Sequence, residues 1–244
     1  MRGDVGFPVR VCFTKRGKVR FISHRDVARA FERAFRIETL PLSFTQGFSP
    51  RPKVSFGLAL SVGHESDAEF LDVELAEQIG LEELPAMLSR ALPEGIEVRA
   101  VQALADRAPA LQEAVSAVEW EIEVISTRAG VDAYPDVVNG RVDAVMQSTT
   151  LVVERVRKGR TGSEDIRPAL RRITVLGPTE RGTLIGVELA TRPTSVRPAE
   201  LVAILSPDFC EGRVRRTGQW IERGEERLEP LTADPRIAVE ARAS

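Results

Sequence analysis

One order of elements recurs in this chain and narrows its fold more than any other feature: strand, helix, strand, strand, helix, strand. Residues 8–14 alternate like a strand. Ser23 and Asp26 form a capping-box pattern, so a helix is expected over 24–36. Val27, Ala30, Phe31, Ala34 and Phe35 fall on one face of that helix. Arg25, Arg29, Arg33 and Arg36 fall together on the opposite face. Residues 41–61 read as a second extended region, 70–75 as a third strand, 81–92 as a leucine-faced helix and 96–104 as a fourth strand. The order then repeats: strand at 119–126, helix around 139–147, strands at 150–158 and 184–189, helix at 198–205 and strand at 213–221. A long connection, 159–182, separates the second and third strands of that half.

This split βαβ pattern predicts an α+β fold of two tandem ferredoxin-like domains, with antiparallel sheets and helices on one face. The expected limits are 1–104 for the first domain, 105–118 for an Ala-rich linker and 119–222 for the second domain. The charged, proline-containing stretch 223–244 reads as a disordered tail.

At 244 residues and 43% hydrophobic content the chain can bury two ordinary cores. No apolar run approaches the length needed to cross a bilayer, and the first ten residues lack the apolar centre of a signal peptide. Cys12 and Cys210 lie in different halves, so a reducing, cytoplasmic setting is the simplest expectation. The net charge of −2 hides an asymmetry. Residues 1–60 carry twelve Lys/Arg against four Asp/Glu, a balance of +8, and residues 61–104 carry two against ten, a balance of −8. A segregated basic segment suits an anionic partner; equally, the two segments can neutralise each other across one sheet.

The basic segment supplies the candidate site. His24 is expected at the first helical position, where unpaired backbone amides, the ring and Arg25 can converge on a phosphate, with Ser23 as cap. The same histidine can serve as a general base or simply pack at the end of a sheet. In the loop 46–53, Gln46, Arg51 and Lys53 offer polar contacts and Phe48 a stacking surface, a combination that suits single-stranded or looped RNA. The competing reading is a proline-stiffened loop whose Phe48 plugs the core. Arg155 and Arg157 face one side of a strand and form a second basic set, although interspersed carboxylates also fit a solvated sheet face. Walker and dinucleotide loops, zinc spacings, cluster cysteines and nucleophile elbows are all missing from the sequence, so no cofactor and no metal is expected.

Lys15, the run Phe21-Ile22-Ser23-His24-Arg25-Asp26, Arg29, Glu32-Arg33-Ala34 and the run Gln46 to Lys53 resemble a radical-SAM-associated domain family of unknown function. Glu65, Glu69 and Asp72 continue the resemblance, as do Asp165-Ile166-Arg167-Pro168 and Arg197-Pro198-Ala199-Glu200-Leu201. The resemblance implies a stand-alone relative of the C-terminal portion of cobalamin-binding radical SAM proteins, working with a radical SAM enzyme in trans. The expectation that follows is a non-catalytic module that binds tRNA or rRNA for modification, with neither DNA nor a membrane as partner. Two alternatives stay open: a metal-independent endoribonuclease with His24 as base, and a protein–protein adaptor.

Overall fold

The computed structural model describes residues 6–105, 108–157 and 159–232, with Arg157 and Arg160 as backbone only. The chain divides into two compact units, one built from Met1–Val115 with Trp220–Ser244 and the other from Ser116–Gln219. Both are mixed α+β, with antiparallel sheets and few helices.

In the first unit the elements are β1 (Phe7–Lys15), α1 (His24–Ile37), β2 (Val54–Phe56), β3 (Glu65–Leu75), α2 (Leu84–Ala91), β4 (Ile96–Ala103) and α3 (Leu111–Ala114). β1 lies between β4 and β3, and β2 pairs with the other edge of β3. Alternate residues of β1 (Val9, Val11 and Phe13) point at α1, whose Val27, Phe31, Ala34 and Phe35 are buried, and at Leu84 and Leu88 of α2. The Phe13 and Phe31 rings meet edge to face at 4.7 Å, and burying each contributes about 1.5–3 kcal/mol. The other face of β1 and β3 buries Cys12 and Phe70 against Leu111. Leu111 belongs to α3, so the stretch expected as a linker contributes to the core of the first unit. Gly95 stands at φ +95°, and a Cβ there would lie 2.3 Å from the Arg16 carbonyl oxygen, so only glycine fits where the chain enters β4.

In the second unit β5 (Ala117–Ser126), α4 (Pro135–Gln147), β6 (Val152–Arg157), β7 (Arg160–Asp165), β8 (Leu170–Pro178), β9 (Gly182–Ala190), α5 (Pro198–Leu205) and β10 (Phe209–Arg223) follow in order. The sheet runs β10-β5-β9-β8. The strand expected at 150–158 exists, but it pairs with β7 alone, as a hairpin off the sheet. The sheet's second strand is β8, inside the stretch read as a connection. Its apolar alternation is broken by Arg171 and Arg172 at a register shift, where both arginines reach Glu188.

The chain then returns to the first unit. β11 (Glu226–Leu228) pairs with the end of β10, Ile221 opposite Leu228, so part of the expected disordered tail is a strand. Beyond it, the Arg10 guanidinium donates to the Pro230 carbonyl at 2.9 Å, and Leu231 packs against the Cys12 cluster. Residues 233–244 of that tail lie outside the described residues.

Candidate functional site

α1 starts where the sequence places it. Ser23 Oγ accepts the Asp26 amide at 3.3 Å, and the Ser23 amide donates to the Asp26 carboxylate at 3.3 Å, which closes the capping box. The Ser23 hydroxyl also donates to Asp26 at 2.6 Å and holds that carboxyl below its usual range. Ser23 is therefore occupied by the helix itself rather than available to a phosphate.

Arg25, Arg29, Arg33 and Arg36 are all exposed on one face of α1. Arg29 meets Asp26 at 3.3 Å, and Arg36 donates to the Glu32 carbonyl at 3.3 Å. The side chains of Arg25 and Arg33 form no ion pair with a described residue. The remaining cations of the basic segment fare differently. Arg10 grips Asp72 through two bonds of 2.7 and 2.8 Å, Arg16 meets Asp67 at 2.6 Å, Arg20 meets Glu65 at 3.4 Å and Lys53 meets Glu74 at 2.6 Å. Much of the charge asymmetry is thus neutralised within the first unit, and what stays uncompensated is concentrated on α1.

The loop that contains 46–53 is closed by short bonds. The Thr45 amide donates to the Arg51 carbonyl at 2.8 Å, and the Lys53 amide donates to the Ser43 carbonyl at 2.9 Å. Gln46 and Arg51 are exposed, and Phe48 projects wholly into solvent instead of plugging the core. Lys53, held by Glu74, is a structural cation rather than a free phosphate ligand.

His24 and this loop do not converge. β3 carries Glu69 beside the start of α1 and Glu74 beside the loop. Five residues of strand separate them, roughly 17 Å. The basic loop lies at the C-terminal end of β3, whereas His24, against Phe56, lies beside the middle of that strand, where Phe56 pairs with Leu71.

What does gather at His24 was not on the list of expected ligands. Its ring stands edge-on to Phe56 at 5.0 Å, and both line a small cavity with Phe13, Lys15, Glu69 and Phe70. Lys15, which the family resemblance includes, is the buried end of β1 and only 3% exposed. Its Nζ donates to the carbonyls of Arg20 at 3.2 Å and Ile22 at 3.1 Å. Burial lowers its pKa, against the opposing pull of nearby Glu69. The available signal was spacing: Lys15 stands two residues beyond Phe13, at the end of the series Val9, Val11 and Phe13 on β1.

The second basic set is structural as well. Arg155 donates to Glu200 at 2.9 and 2.8 Å, to Glu164 at 2.7 Å and to the Ser195 carbonyl at 2.8 Å, which uses its guanidinium inside the unit. The Arg157 side chain lies outside the described residues. Arg167 donates to the carbonyls of Met146 and Ser148 at 3.2 and 2.9 Å and so caps the C-terminus of α4. Asp165 accepts the Leu151 and Arg167 amides, which lowers its carboxyl pKa. Among the described residues no three His, Cys, Asp or Glu side chains are grouped to hold a metal ion, and no helix is long and apolar enough to cross a membrane.

A family model described as an uncharacterized protein conserved in bacteria, DUF2344, matches residues 9–198. The chain belongs to the DUF2344 family. The matched span begins on β1, before Lys15 and the arginine helix, and ends at the start of α5, so both units of this DUF2344 chain contribute to it. No curated protein matches the sequence. Among solved structures, the DUF2344 chain is similar to one in an H/ACA RNP bound to a substrate RNA containing 2′-deoxyuridine, at 13% identity and a TM-score of 0.47 over 87% of this chain and 47% of that one. It is also similar to a chain in a Cbf5-Nop10-Gar1 complex, at 12% identity and a TM-score of 0.47 over 88% and 49%. A third, in an archaeal box H/ACA sRNP Nop10-Cbf5 complex, has 14% identity and a TM-score of 0.44 over 88% and 48%. The chain spans about half the length of each of these.

Proposed function

We propose that this chain is a non-catalytic, cytoplasmic RNA-binding module that holds tRNA or rRNA for a radical SAM enzyme supplied in trans, as the resemblance of its N-terminal motifs implies. The observation that carries the RNA reading is the face of α1. Four exposed arginines recur there at spacings of three and four residues, while the neighbouring cations of the segment are neutralised by β3. Guanidinium groups in such a row follow a phosphate backbone without reading its bases. Arg25 and Arg33 form the free part of this row, and Phe48 with Arg51 supplies a separate stacking contact in the loop at the C-terminal end of β3. Each unit is read as a ferredoxin-like domain, supported by the strand orders β4-β1-β3-β2 and β10-β5-β9-β8.

Fluorescence anisotropy of a labelled tRNA or rRNA fragment across a potassium chloride titration tests this. With four arginine–phosphate contacts, log Kd should change with log salt at a slope of about 3. Arg25→Glu/Arg33→Glu should lower that slope by more than about one and weaken binding across sequences. Wild-type affinity in that variant at low salt would sink the proposal. RNA cleaved in EDTA and left intact by His24→Ala would instead assign catalysis to the histidine.

A further inference from the structure

We propose that the groove between the C-terminal ends of α1 and α2 takes an unpaired guanine base of a single-stranded or looped RNA, and that Glu38 selects it. The inference rests on the RNA reading of α1 and adds a base preference, which phosphate contacts along an arginine row cannot supply. Arg33, Ile37 and Glu38 line the groove from the α1 side, and Arg90, Leu92 and Pro93 from the α2 side, around about 460 Å³ of space. That is ample for a small planar ligand. Ile37 is 53% exposed, and Arg33, Arg90 and Pro93 are exposed too, so the groove opens to solvent. The Glu38 carboxylate and the two guanidinium groups form no ion pair with a described residue. All three charges are therefore available to a ligand.

The arrangement of charge chooses the occupant. α1 ends at Ile37 with Glu38 as its C-cap, and α2 ends at Ala91 with Leu92 as its C-cap. Helix C-termini carry partial negative charge, and Glu38 adds a full one, so the groove favours N–H donors and disfavours a phosphate inside it. Arg33 belongs at once to the groove and to the arginine row, which keeps the neighbouring phosphates on the helix face. Guanidinium planes are also surfaces on which an unstacked base lies, and Ile37, Leu92 and Pro93 offer the ring apolar contact. A carboxylate only accepts, through two oxygens. Guanine alone among the four bases presents two adjacent donors, N1–H and N2–H, to match them. Adenine and cytosine set their amino group beside an acceptor nitrogen, and uracil sets its N–H between two carbonyls. In a duplex these guanine donors are spent on cytosine, so the base must be unpaired.

The probes are short labelled uridine-rich single strands, one with a central guanosine and one with adenosine in its place, read by fluorescence anisotropy with the full chain. Wild type should bind the guanosine strand about tenfold more tightly, and annealing a complementary strand should erase that preference. Glu38→Gln should bring the ratio of the two Kd values close to one while tightening both, because a charge that repels phosphate is gone. A purely electrostatic role for Glu38 would tighten both strands and leave the ratio where it was, which would overturn the proposal. Equal affinity of wild type for the two strands, with steep salt dependence retained, would sink the groove assignment and leave the RNA reading standing. No binding of either strand at low salt would remove both. A protein without guanosine preference that forms a concentration-dependent dimer, dissolved by Ile37→Gln, would give the groove to a second copy of the chain instead.

Discussion

Cys12 sits on β1 with its thiol against Phe70 and Leu111, and the setting decides its chemistry. Burial, reinforced by the carboxylate of Glu229, pushes its pKa from 9.0 up to about 12. The folded state therefore keeps a proton that the unfolded chain releases above pH 9. Stability that Cys12 contributes is fully present below that value and is lost as pH rises toward 12, at about 1.4 kcal/mol per pH unit. Urea unfolding at pH 8 to 11 should show this slope in wild type and a shallower one in Cys12→Ala. In the folded protein the thiol should react slowly with Ellman's reagent. Lys15 is the mirror case, a cation whose pKa is lowered by burial. Neither property is legible from residue type alone, because each arises from burial that long-range packing creates.

At the scale of elements, α1 was readable because its signals are local: a cap, a box and two faces within fourteen residues. Its arginine face was readable for the same reason. Neutralisation of the basic segment by the acidic one was one of the two readings its charge allowed, but which carboxylate meets Arg10, Arg16, Arg20 or Lys53 depends on strand register across 21 to 62 positions. The hairpin of β6 and β7 misled for a related reason. A strand pattern states that a segment is extended, and only long-range pairing says which sheet it joins. Arg155 shows the energetic side of that hairpin, since it fastens β6 to β7 through Glu164 and to α5 through Glu200. Its guanidinium is 12% exposed, so Arg155→Met strands two carboxylates in a shielded place. A loss of about 3 kcal/mol is expected by urea denaturation. RNA affinity of the folded variant should stay at the wild-type value.

At the scale of the whole molecule, the first unit is assembled from two stretches of chain separated by the entire second unit. Its C-terminal part is not decoration. Pro230 accepts from Arg10, the same guanidinium that pairs with Asp72, and Leu231 covers the Cys12 cluster. Deleting residues 229–244 should uncover that face and weaken the Arg10 anchor. Thiol titration is the sensitive measurement: Cys12 of the shortened chain should react quickly, while that of the full chain should not. A thiol equally protected in both would show that α3 alone covers it.

This discontinuity also bears on how the protein is made. A ribosome that has finished residue 115 must add about a hundred more before Trp220 emerges, which at 5–20 residues per second takes roughly 5–20 s. For that interval the nascent first unit has β1, β3 and α1 but no Leu231 to close over Cys12. The face that ends up least reactive in the finished protein is thus the last to be sheltered during synthesis. That places the demand for chaperone protection on the earliest-made part of the chain.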